Sequence, residues 1–314
     1  SNNLRNVQIK KDVHGYTVDG SRYFRSIPEF VAFYKMSAIK TRTTTCEMKQ
    51  GIGLQVWELT HDQVHVRVGI VKIAGKSIPT AVKMLKTDGD LTKGVVKELM
   101  HEARIMRNLD HKNVLKCYGV AVQHEPLYLL SELCNLGALR EYLKENAKKL
   151  TVADRINFCL CAARGVEYLH QKNYIHRDLA VRNILLTEDK IAKVADFGLS
   201  RDGAAYEMKS ASKIPVRYLA PETIKKYVFT FKTDVFTFGI VIWEIFENGT
   251  APHHGAQAHV IKEMIARNEF LKLNATAPPA LGKFVSEKVF VVSPEERASM
   301  KDVVKNLEEI AAKK

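Results

Sequence analysis

Apolar positions change their spacing partway along this chain, and the change divides it. From Val64 to Leu85 β-branched residues recur at strand-like intervals, and a second strand-like group runs to Leu133. Between them, Val95 to Asn108 carries the spacing of a helix. Beyond Leu136 helical patterns dominate, first at Leu139 to Leu143 and then from Asp154 to His170. Strands first and helices afterwards predict an α+β chain with two lobes. Upstream, Val7 to Lys10 and Gly15 to Val18 read as short strands around a turn. Ile27 to Tyr34 reads as a helix with Ser26 as N-cap, Pro28 in the first turn and Glu29 three residues on. The break in character falls near Met48 to Gly53, after a polar run from Lys40 to Thr45.

The strongest apolar run, Val235 to Phe246, is too short to cross a bilayer and contains Glu244, so it predicts a buried core helix. No transmembrane segment is expected, which leaves peripheral membrane association open. The start, Ser1 to Arg5, has neither an initiator Met nor the apolar core of a signal peptide, and reads as a cut boundary. Of 314 residues, 46% are hydrophobic and 26% charged, as in a folded globular protein. Five cysteines at no metal-ligand spacing argue against a disulfide scaffold or a zinc site, and favour a reducing, cytoplasmic compartment. The net charge of +13 is spread along the chain without basic blocks interleaved by aromatics, so no nucleic-acid partner is expected.

The chemistry concentrates in Ile175-His176-Arg177-Asp178-Leu179-Ala180-Val181-Arg182-Asn183 and in Asp196-Phe197-Gly198, each behind an apolar strand-like run. This order resembles the catalytic loop and metal-binding turn of a protein kinase. It makes Asp178 the group that orients an attacking hydroxyl, with Asn183 and Asp196 as oxygen ligands for Mg2+. Phosphoryl transfer is mostly positioning and charge neutralisation, so one base and two metal-binding side chains nearly define such a site. Ala81-Val82-Lys83-Met84-Leu85 resembles the kinase strand whose Lys contacts the phosphates of ATP. A strand-embedded Lys needs a partner, since an unpaired buried ammonium is costly. Glu102 is favoured; Glu98, one helical turn earlier, competes. Ala220-Pro221-Glu222 closes the segment begun at Asp196, and the resemblance pairs Glu222 with Arg297.

Ala180 stands where serine/threonine kinases carry Lys, and Leu179 to Asn183 is similar to the tyrosine-kinase loop. Ile214-Pro215-Val216-Arg217-Tyr218-Leu219 resembles the tyrosine-kinase element before this motif, with Tyr218 in place of Trp. Both signatures imply tyrosine acceptors on protein substrates. From about Trp57 to Ile310 the chain resembles the Fes/Fer family of non-receptor tyrosine kinases. That resemblance implies a two-lobed kinase fold over 59–312, with an N-lobe over 59–133, mainly β with one key helix, and a mainly α C-lobe over 134–312. It also implies a linker over 48–58. Residues 1–47 resemble the C-terminal part of a Src-homology-2 domain; the phosphate-binding Arg lies on a strand not contained here, so no phosphotyrosine binding is expected. The resemblance further implies that Val71, Ala81 and Leu185 contact the nucleotide with Lys83. Backbone groups of Glu132 and Cys134 would hold the adenine, Ser131 would take the gatekeeper position, and Arg182 would help seat the acceptor tyrosine. Tyr206 would be the autophosphorylation site, with Arg177 among the cations meeting its phosphate; an ordinary exposed loop tyrosine is the alternative.

The pattern fails at the Gly-rich loop. Asp62 to Val71 contains Gly69 but not the first two glycines, and the stretch from Trp57 to Lys83 is short for the family. Two or three lost backbone donors to phosphate cost roughly 3–9 kcal/mol, and the low end is about a hundredfold in affinity. The alternative function is therefore a weak or inactive pseudokinase that docks partners. Phe236 and Phe290 replace usual tryptophans and Ala298 the Pro after Arg297; modest stability effects are expected.

Overall fold

A computed structural model describes residues 9–40, 45–46, 57–65, 69–85, 93–208 and 215–313. The chain divides into two compact units, Ser1–Gln55 and Val56–Lys314.

In the first unit, β1 (Lys10–Asp12) pairs antiparallel with β2 (Gly15–Thr17), followed by α1 (Ile27–Met36) and a two-residue pairing of β3 (Ile39–Lys40) with β4 (Thr45–Cys46). Ser26 caps α1 through a bond accepted from the Glu29 amide, and the Glu29 carboxylate accepts from the Arg25 amide. Phe24, Phe30, Tyr34 and Ile39 form its small core, with ring centroids 4.7–5.6 Å apart among the three aromatic residues. Of the expected first strand, Val7 and Gln8 lie outside the described residues.

The second unit begins with β5 (Val64–His65), β6 (Ile70–Ile73), β7 (Lys76–Leu85), the helix α2 (Lys93–Met106), β8 (Cys117–Ala121) and β9 (Leu127–Glu132). The strands form one antiparallel sheet in the order β5-β6-β7-β9-β8. On one face Val64, Val71, Leu130 and Ala121 pack with Leu59. On the other, Leu127 and Leu129 join Leu99, Ala103 and Met106 of α2 in a core continuous with the C-lobe. Strand alternation fixes these faces: side chains two apart share one.

The C-lobe follows as β10 (Gly137–Ala138), α3 (Leu139–Asn146), α4 (Val152–Gln171), β11 (Tyr174–Ile175), β12 (Ile184–Leu186), β13 (Ala192–Val194), β14 (Arg201–Asp202) and β15 (Ala205–Glu207). Then come α5 (Pro221–Lys226), β16 (Val228–Thr230), α6 (Phe231–Phe246), α7 (Ala258–Ala266), α8 (Pro279–Phe284) and α9 (Met300–Ala312). Helix α4 starts two residues before the expected Asp154, because Thr151 and Asp154 cap each other's backbone amides. Helix α6 is buried along most of its length, as the Val235 to Phe246 run requires. Gly165 lets α4 approach the Asn113 carbonyl; a Cβ there would lie 2.3 Å from it. That contact brings Asn113 beside β13, where the Val194 amide donates to its carbonyl and the Leu115 amide donates to Val194.

Phe236 and Phe290 are buried against each other at 5.2 Å. The Ala298 amide donates to the Lys288 carbonyl, a bond that the usual proline has no N–H to make.

Candidate active site

Asp178 and Asn183 sit on the segment joining β11 to β12, and α6 holds that segment from beneath. Asp234, in the first turn of α6 and 1% exposed, accepts the amides of His176 at 2.7 Å and Arg177 at 3.0 Å. Two successive residues of the loop are thereby fixed before any substrate arrives. Glu244, ten residues further along α6, accepts the Val181 amide at 3.0 Å. Neither carboxylate was among the expected site residues. Their signal is an acid within a largely apolar helix, which must find partners where it is buried.

Asp178 accepts from Arg182 at 2.5 Å through one oxygen and from the Asn183 amide at 2.7 Å through the other. The Asn183 nitrogen also donates to the Asp178 carbonyl at 2.8 Å, which leaves its Oδ1 as the acceptor free to meet a cation. Asp196 has a left-handed backbone, φ 63°, a conformation uncommon outside Gly and enriched at functional sites. Phe197 beside it is fully buried and packs 5.4 Å from the His176 ring, while the His176 side chain bonds the Ala195 carbonyl at 3.0 Å. Burying Phe197 turns Asp196 outward.

Lys83 meets Glu102 at 2.7 Å, so the α2 carboxylate favoured by the sequence is the partner, and Glu98 is not. The expected burial is reversed: the Lys83 side chain is 55% exposed, and Glu102, at 9%, is the buried member. Lys83, Glu102 and Asp196 line one cavity of about 630 Å³, with Glu98, His101 and Arg201 on its wall. Ala81 shares the Lys83 face of β7. Leu185 is half-buried on β12. Glu132 ends β9 and Cys134 follows it, and neither lines that cavity. The Glu132 carboxylate turns away to Lys193 at 3.0 Å and its amide donates to the Lys116 carbonyl at 2.9 Å, while burial pushes the Cys134 thiol up to about 11.

Val71 does not lie on the Lys83 face of the sheet, contrary to expectation. It pairs with Ile78, fully buried on the face of the sheet opposite Lys83, and Ile70, opposite Pro79, takes the cleft-facing position. A shift of one residue in a strand moves every side chain to the other face, and the pairing of His65 with Ile70 sets this register. Only residues 66–69 join those partners, fewer than the six of a G-x-G-x-x-G turn; 66–68 lie outside the described residues.

Tyr206 is not in a free loop. It pairs with Phe229 in the β15–β16 ribbon, and the Arg177 guanidinium lies 4.2 Å from its ring and 4.4 Å from that of Phe229. Arg201 lies 5.2 Å from the same ring. Burial, then the Arg201 charge, lowers the Arg177 pKa to about 10. Glu222 and Arg297 form the expected pair, at 2.8 and 3.1 Å, with no Arg297 side-chain area exposed.

The oxygens of Asn183 and Asp196 suit a hard divalent cation. Among the described residues no three His, Cys, Asp or Glu side chains gather as a closed metal cage. Mg2+ normally takes one or two protein oxygens and completes its shell with phosphates and water, so this open donor set fits it.

The sequence model for protein tyrosine and serine/threonine kinases matches residues 61–307. Fer-related kinase 1 of Caenorhabditis elegans is 33% identical over 265 residues, covering 81% of this chain and 67% of that protein. Tyrosine-protein kinase FRK of Homo sapiens is 31% identical over 337 residues, 98% of this chain and 65% of its own. Tyrosine-protein kinase Fer of Homo sapiens is 33% identical over 230 residues, 73% of this chain and 28% of its own. The chain thus spans between 28% and 67% of the length of these relatives. It belongs to the protein tyrosine and serine/threonine kinase family, and residues 61–307 are its protein tyrosine kinase domain.

Proposed function

We propose that this chain transfers the γ-phosphate of ATP to tyrosine hydroxyls of protein substrates. The observation that carries the reading is the Asp178 carboxylate, oriented by Arg182 and Asn183 and joined through one folded unit to the Lys83–Glu102 pair and Asp196. Lys83, held by Glu102, draws the α and β phosphates into the cleft. Asp178 accepts the hydrogen bond of the acceptor hydroxyl and aims its oxygen along the line of attack. Arg182, packed on Tyr218, borders the acceptor position. Asn183 and Asp196 would hold Mg2+, which would supply charge neutralisation for the transferring phosphoryl group. Ala81, Ile70 and Leu185 would flank the adenine, and the backbones of Glu132 and Cys134 would bond its edge. Tyr206 is the proposed autophosphorylation site: the cations already stacked on its ring, Arg177 and Arg201, would pair with a phosphate there.

Membership of the Fes/Fer subfamily is proposed on the motifs and on the Fer relatives. The N-terminal unit is proposed as a Src-homology-2-like part, supported by its hairpin, helix and aromatic core and by the extent of the FRK match. No helix among the described residues is long and apolar enough to cross a membrane. The free thiols of Cys117, Cys134, Cys159 and Cys161 favour a cytoplasmic setting.

The four-residue connection between His65 and Ile70 favours a second reading, a docking kinase that binds nucleotide weakly. Melting temperature against ATP concentration, with and without magnesium, separates the two. Magnesium-dependent stabilisation that disappears in Lys83→Met supports the enzyme. Identical melting with and without nucleotide would favour docking.

A further inference from the structure

Tyr218 stands where the resembling kinases carry Trp, and its surroundings link two distant carboxylates. Its hydroxyl donates to Glu244 at 2.8 Å. Glu244 is 1% exposed and accepts the catalytic-segment amide of Val181 through its other oxygen. The Tyr218 carbonyl accepts from Thr237 at 2.9 Å, so backbone and phenol are both fastened to α6. Above the ring, 4.7 Å from its centroid, lies the guanidinium of Arg182, which donates to Asp178. The result is a continuous path from a buried carboxylate through a phenol and a guanidinium to the group that receives the acceptor hydroxyl.

We propose that Tyr218 is a positioning residue: fixed by Glu244, its phenol seats Arg182 and so sets the orientation of Asp178. The inference rests on the kinase reading above. Asp178 has two fixed donors, Arg182 and Asn183, and Arg182 is the one whose own seat is a side chain that differs from the family pattern. A long guanidinium left unseated loses its single geometry, and Asp178 loses the constraint with it.

The electrostatics give the path a readable signature. Burial pushes the Glu244 carboxyl up to about 7; the bonds from Val181 and Tyr218, then the charges of Arg182 and Arg140, hold it from rising further. Burial and the Glu244 charge push the Tyr218 phenol up, and Arg182 opposes that rise. When Glu244 is ionised it accepts a charge-assisted hydrogen bond from the phenol, which holds the ring beneath Arg182. When Glu244 is protonated that bond is between neutral groups and weaker, and the ring beneath Arg182 is held less firmly.

The test is kcat against pH for the wild type, Tyr218→Phe, Tyr218→Trp and Glu244→Gln, with side-chain NMR of Arg182 Nε as a readout that needs no turnover. Tyr218→Phe removes a bond that favours the carboxylate, so its acid limb should move to higher pH. Its kcat near neutrality should fall about tenfold, the worth of one bond to a charged group, while KM for ATP stays unchanged. Trp, with an N–H donor and an aromatic face, should restore both, and Glu244→Gln should lose the limb. Arg182 Nε should be ordered in the wild type and Tyr218→Trp and mobile in Tyr218→Phe. An Arg182 signal equally ordered in folded Tyr218→Phe would overturn the proposal, whether or not the wild type is active. Absence of wild-type transfer with that NMR pattern intact would count against the kinase reading alone.

Discussion

Glu244 shows how one residue can tie stability to pH. Its ordinary carboxyl value of 4.5 is raised to about 7, chiefly by burial. Between those values the folded chain keeps a proton that the unfolded chain has released. The stabilising contribution is therefore fully present below about pH 4.5 and lost as pH rises through 7. Glu244→Gln has no such proton. Between about pH 5.5 and about pH 8 the wild type should lose about 1–2 kcal/mol relative to that variant. Urea unfolding of both proteins at the two pH values measures this, and a difference independent of pH would contradict it. At the same scale, Asp178, Asn183 and Asp196 were legible because each sits in a short motif whose neighbours are fixed. Asp234 and Glu244 were not. Their partners lie 58 and 63 residues away along the chain, and only the oddity of an acid in an apolar helix marks them.

Among elements, the clearest dependence is that of α5 on the turn before α9. Glu222, in the first turn of α5, meets Arg297, whose guanidinium also donates to the carbonyls of Val291 and Lys232. Glu222→Ala leaves that buried cation unpaired and should cost about 3–5 kcal/mol of unfolding free energy. Chemical denaturation checks it, and a loss below about 1 kcal/mol, the level of an exposed ion pair, would show that the pair is not structural. The helices themselves could be read from their caps, as at Ser26 and Glu29 of α1. Strand faces could not. Val71 fits the spacing of an adenine-contacting valine after Gly69, yet the β5–β6 register puts Ile70 on that face. Register is decided by loop length and by the partner strand, and neither is written in the strand's own residues. Tyr206 is a similar case: a loop tyrosine by sequence, it is fixed by a strand partner 23 positions on, Phe229.

For the whole molecule, the two lobes of the second unit are joined by more than their connecting strand. Lys193, its side chain 9% exposed, meets Glu132 at the end of β9 and donates to the Lys112 carbonyl, while Val114 and Leu115 run beside Val194. Those contacts carry the Lys83 side of the cleft and the Asp178 side as one body. The α+β order was legible because the strand-rich pattern ends near Leu133 and the helix-rich pattern fills the longer remainder of residues 61–307. What the sequence left open was whether a shortened loop removes chemistry or only weakens nucleotide binding. The Lys83–Glu102 pair, the oriented Asp178 and the outward Asp196 are all formed, so the groups the chemistry needs persist beside the shortened loop.

Transfer of labelled phosphate from Mg-ATP to a tyrosine-containing polymer, run beside Asp178→Asn, tests that claim most directly. Phosphotyrosine is expected in the wild-type reaction, with loss of roughly a hundredfold or more in the variant, the usual scale for removing a positioned acid–base group. A folded wild type that transfers nothing, or a variant that transfers equally well, would contradict it.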